Sequence, residues 1–321
     1  MRWRTIAVAG LVAGLAGSAF GFGTISGAGQ NREHERITRH ALGCDASPPV
    51  ADCFQPATLD ELAGKKGTFG AVGAPDNPAR GLLLTSTAHC DNGDYQPTPG
   101  YPQSQDSARA HLVACRAGMA AHLDEAVSDA ARLLDASGKI DGSQIPTMVG
   151  CAFDGHKGRA KCDVLEDFGL LLHASQDFYS HSNWVDHAAP GPITLGNPPG
   201  LGNVGPAPWL DLRQADPPFP DGLMTGCFDK VSLVDVAAGC PGHTKHEDLN
   251  KDKGQIDPTI GAGTTKRGMI DDNFADAVRA AIADTQDKWA TLRERLVATY
   301  GADRGARMIC AISHDDPATC A

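Results

Sequence analysis

The hydrophobic positions of this chain recur at helical rather than strand intervals. Over 107–134, Leu112, Cys115, Met119, Leu123, Ala126, Ala130 and Leu133 fall mostly three or four residues apart, the interval that lines one face of an α-helix. A second long helix is expected over 272–300, with Phe274, Val278, Ile282, Trp289, Leu292 and Leu296 on its buried face and an acidic start that suits the helix dipole. A third is expected over 164–186, where Val164, Phe168 and Leu171 form the apolar stripe. Shorter segments, 32–42 and a turn near 59–62, read as helical too. Between them, Gly, Pro, Asp and Asn crowd 64–103, and Pro and Gly crowd 188–220, which marks irregular chain. No β alternation or internal repeat interrupts the pattern. The fold predicted is all-α, a helical bundle whose ends are crossed by long loops.

The helix over 164–186 carries more than a core stripe. His173, Asp177 and His181 stand four residues apart, so their side chains stack along one line. A single histidine there would read as a core residue with its hydrogen bonds met, but an aspartate one turn away changes the picture, because a buried unpaired carboxylate is costly. Three further segments each supply histidine near carboxylate: His34 in the first short helix, Asp76 and His89 in the loop over 64–103, and His243, His246 and Glu247 in a later polar loop. Nitrogen and oxygen donors of this kind suit zinc. His40, His111, His122, His156 and His314 read as surface or helix-face residues.

Composition then narrows the class. Residues 1–19 have the form of a secretory signal: Arg2 and Arg4, an apolar run over 6–15, and small residues at Gly17 and Ala19. The mature chain is then a single domain over 20–321 beginning at Phe20, with a cut after Gly21 as the alternative, and it is expected to be secreted or periplasmic. Ten cysteines lie as near neighbours along the sequence, which in an exported chain points to disulfides pinning loops, with connectivity left open. No Cys-x-x-Cys occurs, so a zinc–thiolate site is not expected. The net charge of −11 becomes −13 once the two signal arginines are lost, which argues against long nucleic acid in a basic groove and against simple docking on anionic lipid. The segment Gly64-Lys65-Lys66-Gly67-Thr68 lacks the spacing of a phosphate loop, and no Gly-x-Ser-x-Gly elbow is present.

Several segments resemble the Het-C family, named for a fungal heterokaryon-incompatibility protein. They are Ala19-Phe20-Gly21-Phe22-Gly23-Thr24-Ile25, His34-x-x-Ile37, the block from Leu172 through His173-x-x-Gln176-Asp177-x-Tyr179-Ser180-His181-Ser182-Asn183 to Val185, and His246-x-x-Leu249-Asn250-Lys251-Asp252. More distantly, the pattern is similar to the zinc-dependent phospholipase C and single-strand nuclease superfamily, an all-α fold with a cluster of three zincs. That resemblance implies two or three zinc ions here. It gives the amine of Phe20 and His34 to one zinc and Asp76 and His89 to another, matches His173 and Asp177 to a helical pair of ligands, and makes Asp177 a bridge between two zincs. For the third zinc it offers His181, with His243 or His246, and Glu247, although three residues separate Asp177 from His181 where the phospholipases have five.

The activity so implied is hydrolysis of phospholipid head groups, with Asp76 and Asp177 in catalytic positions and a phospholipid or membrane surface as partner. Two alternatives stand beside it: a nuclease or nucleotidase on the same scaffold, which needs an aromatic platform from Trp184, Trp209 or the loop tyrosines, and a non-enzymatic membrane-active toxin or lipid-binding protein whose metals brace the fold. In the last, the excursion over 188–220, with Pro206, Trp209 and Leu210, would be the membrane-contacting flap.

Overall fold

The computed structural model describes residues 22–27, 30–146, 150–155, 158–228, 230–231, 234–235 and 240–320. The expected signal over 1–19 and His156 lie outside the described residues. Helices dominate: α1 (Glu33–Leu42), α2 (Pro56–Ala63), α3 (Ser86–His89), α4 (Gln105–Asp129), α5 (Ala160–His181), α6 (His246–Leu249), α7 (Asn273–Tyr300) and α8 (Ala302–Ser313). Named strands among the described residues are confined to two two-residue antiparallel hairpins, Ser26–Gly27 with Gln30–Asn31 and Lys230–Val231 with Val234–Asp235.

Helix α5 is the axis. It packs against both α4 and α7, α1 lies on α7, and α8 folds back along α7 after Gly301, whose φ of +84° turns the chain sharply. Every residue of α5 is buried, so its apolar stripe does not face a core on one side with solvent on the other. A helix enclosed all round is usually apolar all round. This one carries Lys161, Asp163, Glu166, Asp167, Gln176 and Ser180 as well, and each polar group finds a partner on a surrounding element. Lys161 Nζ donates to Thr58 Oγ1 at 2.8 Å, Arg132 pairs with Asp163 at 2.6 Å, Arg80 pairs with Glu166, His122 meets Asp167 at 2.9 Å, and Ser180 Oγ donates to Asp252 at 2.7 Å. These contacts pin α2, α4 and the loops to the helix in one register.

On the apolar side, Phe168 of α5, Phe54 and Trp289 of α7 cluster, with Trp289 centroids 5.7 and 4.7 Å from the two phenylalanines. Trp289 Nε1 donates to the carbonyls of Ala51 and Asp52 at 3.1 Å, fastening the loop between Cys44 and Cys53. All ten cysteines are paired, each with its neighbour in sequence: Cys44–Cys53, Cys90–Cys115, Cys151–Cys162, Cys227–Cys240 and Cys310–Cys320. No described helix is long and apolar enough to cross a membrane.

Three elements differ from the sequence expectation. The central helix stops at His181 rather than 186, because Ser182 turns extended and Asn183 spends its side chain on the excursion, donating to the carbonyls of Pro199 and Gly222 at 3.1 and 3.0 Å. The loop over 64–103 contains two 3₁₀ turns, Ala74–Asp76 and Pro78–Arg80, as well as α3. Helix α8 is an addition, its buried face of Met308, Ile309 and Ile312 being masked in sequence by the glycines at 301 and 305. The excursion also turns Trp209 and Leu210 inward, 3% and 0% exposed, so they are core residues rather than the tip of a flap.

One close approach positions the site. A Cβ at Gly169 would lie 2.5 Å from both the carbonyl carbon and the Cβ of Ala71, so only glycine lets the segment leading to Asp76 lie flat on α5. Phe168→Ala is expected to cost about 3–5 kcal/mol through the cavity it opens, and Gly169→Ala about 1–3 kcal/mol through overpacking. Urea unfolding of the purified variants measures both, and a Gly169→Ala protein as stable as the parent would refute the close-approach account.

Candidate metal centre

Helix α5 places His173, Asp177 and His181 in line at its buried end, all 0% exposed. Four other elements converge on them. Helix α1 brings His34, whose ring stacks on His173 with centroids 4.3 Å apart. The 3₁₀ turn after Gly73 brings Asp76. Helix α3 ends at His89 because Cys90 takes the left-handed conformation, φ 55°, and the Cys90–Cys115 disulfide ties that end to α4. Helix α6 begins at His246.

Asp177 sits between two sets of donors. Its Oδ1 lies 3.1 Å from His34 Nε2 and accepts the backbone N–H of Phe22 at 3.1 Å, while its Oδ2 lies 2.9 Å from His89 Nδ1 and 3.1 Å from His173 Nε2. The far nitrogens fix the rings. Val72 offers a carbonyl that can only accept, so His173 Nδ1 carries the proton and donates across 2.9 Å, leaving Nε2 bare when the ring is neutral. Gln176 does the same for His34: its amide donates to Thr38 and Thr285 at 3.0 and 3.1 Å, which turns its Oε1 to His34 Nδ1 at 2.8 Å.

Electrostatics follow this geometry. Burial tends to raise the Asp177 carboxyl, but His173, His181 and His34 around it hold it well below the usual carboxylate range. Burial keeps His173 below the ordinary imidazole range despite Asp177, whereas for His34 and His89 burial, the largest influence, pulls down but Asp177 and Asp76 together leave them raised. Asp76 stands apart. It is buried, neither carboxylate oxygen has a hydrogen-bond partner among the described residues, and its Oδ1 faces His173 Nε2 and His89 Nδ1 at 3.9 and 4.0 Å. Donor atoms 3–4 Å apart are what ligands at about 2.0–2.2 Å from a shared zinc ion would show. The orphaned carboxylate and the fixed imidazoles fit a cation.

A second group lies beyond the first. Asp91 Oδ1 is 3.1 Å from both His181 Nδ1 and His246 Nδ1, and the Asp252 oxygens are 3.5 and 3.4 Å from the two Nε2 atoms. Burial and the neighbouring His181 pull His246 down, but Asp91 and Asp252 push it up to about 9. Burial raises Asp252, but its bonds to the two imidazoles bring it down to about 2. Without a cation this group therefore balances itself as two imidazoliums against two carboxylates. Either group could hold a metal ion.

The structure thus brings together His34, Asp76, His89, His173, Asp177, His181 and His246. It does not bring Glu247, which is exposed, because α6 begins only at His246 and the next residue on so short a helix points about 100° away. His243 precedes that helix, so the expected His243–Glu247 stripe does not form; His243 pairs with Asp94 instead, at 2.7 Å. Phe20 lies outside the described residues, and the backbone nitrogen that reaches Asp177 is that of Phe22. Asp91, Asp252 and Gln176 were not among the expected site residues. Gln176, three residues after His173 on the same helix, and Asp252, at the end of the His246 motif, carried a local signal, whereas Asp91, two residues after His89, stands at a spacing that marks no shared face.

A cavity of about 560 Å³ has among its walls Ala74 and Asn77, which bracket Asp76, together with Lys65, Phe69, Arg80 and Phe153. No protein-family model, curated protein or solved structure matches this chain.

Two outcomes are expected. His246, raised to about 9 from 6.5, stabilises the metal-free fold fully below pH 6.5 and loses that contribution as pH climbs through 9; Asp252, lowered to about 2 from 3.8, contributes above 3.8 and loses it as pH falls toward 2. Melting of the chelator-treated protein should therefore peak near pH 4–6.5 and fall toward pH 9.5, and a flat alkaline limb would contradict the ion quartet. Gln176→Ala should weaken metal binding about 10–100-fold, read by competition with a chromogenic chelator.

Proposed function

We propose that this chain is an exported zinc-dependent phosphodiesterase of the phospholipase C kind. The observation that carries the reading is Asp76: a buried carboxylate with both oxygens unpartnered among the described residues, facing the imidazoles of His173 and His89, beside an Asp177 whose two oxygens serve two donor sets. Imidazole and carboxylate donors without thiolate suit zinc. When bound, neighbouring zinc ions supply Lewis-acid polarisation of a phosphoryl oxygen and an acidified water. The residues do the rest. Val72 and Gln176 hold the His173 and His34 rings in the tautomer that presents Nε2. Asp177 ties the two sets together. Asp76 keeps an oxygen that can take the proton of the attacking water. Export with a cut after Gly21 would turn the Phe22 nitrogen, 3.1 Å from Asp177 Oδ1, into a free amine and so into a further donor.

A second reading has its own support. The donors are almost fully enclosed, Asp76 and His89 being 5% exposed and the rest less, as in closed structural metal sites. In that reading the metals brace the fold and the protein acts by contact, with Ile193 and Val204 of the excursion, 50% and 96% exposed, as its apolar surface. The nuclease reading has less behind it, since Trp184 and Trp209 are 7% and 3% exposed and offer no stacking face.

Elemental analysis of the purified exported protein should find two or three zinc ions, mass spectrometry should place its first residue at Phe22, and choline phospholipid vesicles should be hydrolysed. His173→Ala and Asp177→Ala should lose zinc and at least about 100-fold in rate together. Full activity in either variant sinks the enzyme reading. Bound zinc that stabilises the fold with no hydrolysis favours the bracing role.

A further inference from the structure

Donors enclosed this deeply raise a question of access, because a hydrated cation must reach them from solvent. His173, Asp177, His181 and Asp252 have no exposed surface, and His246 has 1%. One pair in the same neighbourhood is reachable. The His243 side chain is 18% exposed, and its Nδ1 lies 2.7 Å from Oδ2 of the buried Asp94. With Nδ1–H donated to that carboxylate, Nε2 is bare, and it has no hydrogen-bond partner among the described residues. The Tyr101 hydroxyl donates to the same Asp94 oxygen and accepts the Thr244 N–H at 3.0 Å, so the pair is held in place.

This pair is also in line with the buried groups. Segments 91–94 and 243–246 run side by side: Asp94 meets His243 at one end, and Asp91 meets His246 at the other. Asp91 Oδ1 is shared with His181, whose Nδ1 also donates to the carbonyl of His89 at 3.0 Å, and the His89 ring faces Asp177. Carboxylate and imidazole thus alternate in three tiers from the part-exposed His243 to the fully buried Asp177. A cation moving inward would exchange water for oxygen and nitrogen donors at every tier, and the carboxylates would raise its local concentration.

We propose that His243 and Asp94 form the outer docking position of a metal-loading path that leads through Asp91, His181 and His246 to the centre at Asp177. The path rests on the metal-centre reading above, and it differs from the plain alternative, in which Tyr101, Asp94 and His243 are only a clasp between two loops.

Cobalt(II) uptake by the chelator-stripped full-length protein separates the two. Stopped-flow visible absorbance gives the loading rate, and elemental analysis after equilibration gives the final stoichiometry. His243→Gln keeps an amide that can donate to Asp94 but removes the imidazole, and Asp94→Asn removes the charge; each should slow loading about tenfold or more with the final stoichiometry unchanged. Tyr101→Phe cuts the clasp but keeps both donors, and should load at the parent rate. A His243→Gln protein that loads at the parent rate would move access to the Asp76–His89 edge and overturn the proposal. So would a Tyr101→Phe protein slowed as much as His243→Gln, or a His243→Gln protein with lower final stoichiometry. A parent chain that takes up no cobalt would remove the centre itself, and the path with it.

Discussion

A carboxylate with no exposed surface near the C-terminal end of a helix is the constraint to which the rest of this protein answers. Burying Asp177 alone would be prohibitive, and its ionised form survives because three imidazoles and a backbone amide surround its two oxygens. Those imidazoles come from α1, α3 and α5, and the amide from the segment before α1. None is near another in sequence except along α5. The carboxylate can be satisfied only when the bundle has closed, so the fold and the centre are one condition.

The same logic extends along α5. A helix enclosed on every side with several charged residues is held by the partners of those residues, and Lys161, Asp163, Glu166 and Asp167 each reach a different neighbouring segment. Such pairs are weak as net stability, because desolvation offsets much of their attraction. They act here to fix register: a helix slipped by one residue would leave every one of them unpaired. The disulfides do the corresponding work for the loops, and Cys90–Cys115 does it directly for the segment that delivers His89.

The two groups of donors differ in how their carboxylates are partnered. Asp91, Asp252, His181 and His246 can neutralise one another by taking up protons. Around Asp177, His34 and His89 are likewise raised beside the carboxylate, but Asp76 has no hydrogen-bond partner for either oxygen among the described residues. Protons and metal ions would compete for both sets, and the second differs in keeping a carboxylate without a hydrogen-bond partner among the described residues. In the hydrolase proposed above, that unpartnered carboxylate is what would favour the Asp76 side as the seat of chemistry.

Helical periodicity is local, and that part of the molecule was readable from the amino acids alone. The helical spacing over 107–134 and 272–300 yields α4 and α7, and the intervals between His173, Asp177 and His181 place them on one line because a helix turns every 3.6 residues. Cysteines close in sequence also found each other, as short loops cost little to close. The pairing of His243 with Glu247 failed for a reason equally local: α6 starts at His246, too late for the two to share a face. Asp91 and Asp252 join the site from irregular chain, where no period relates position to direction. Only packing decides where such residues point, and that was decided by α5, whose complete burial no stripe of apolar residues announced.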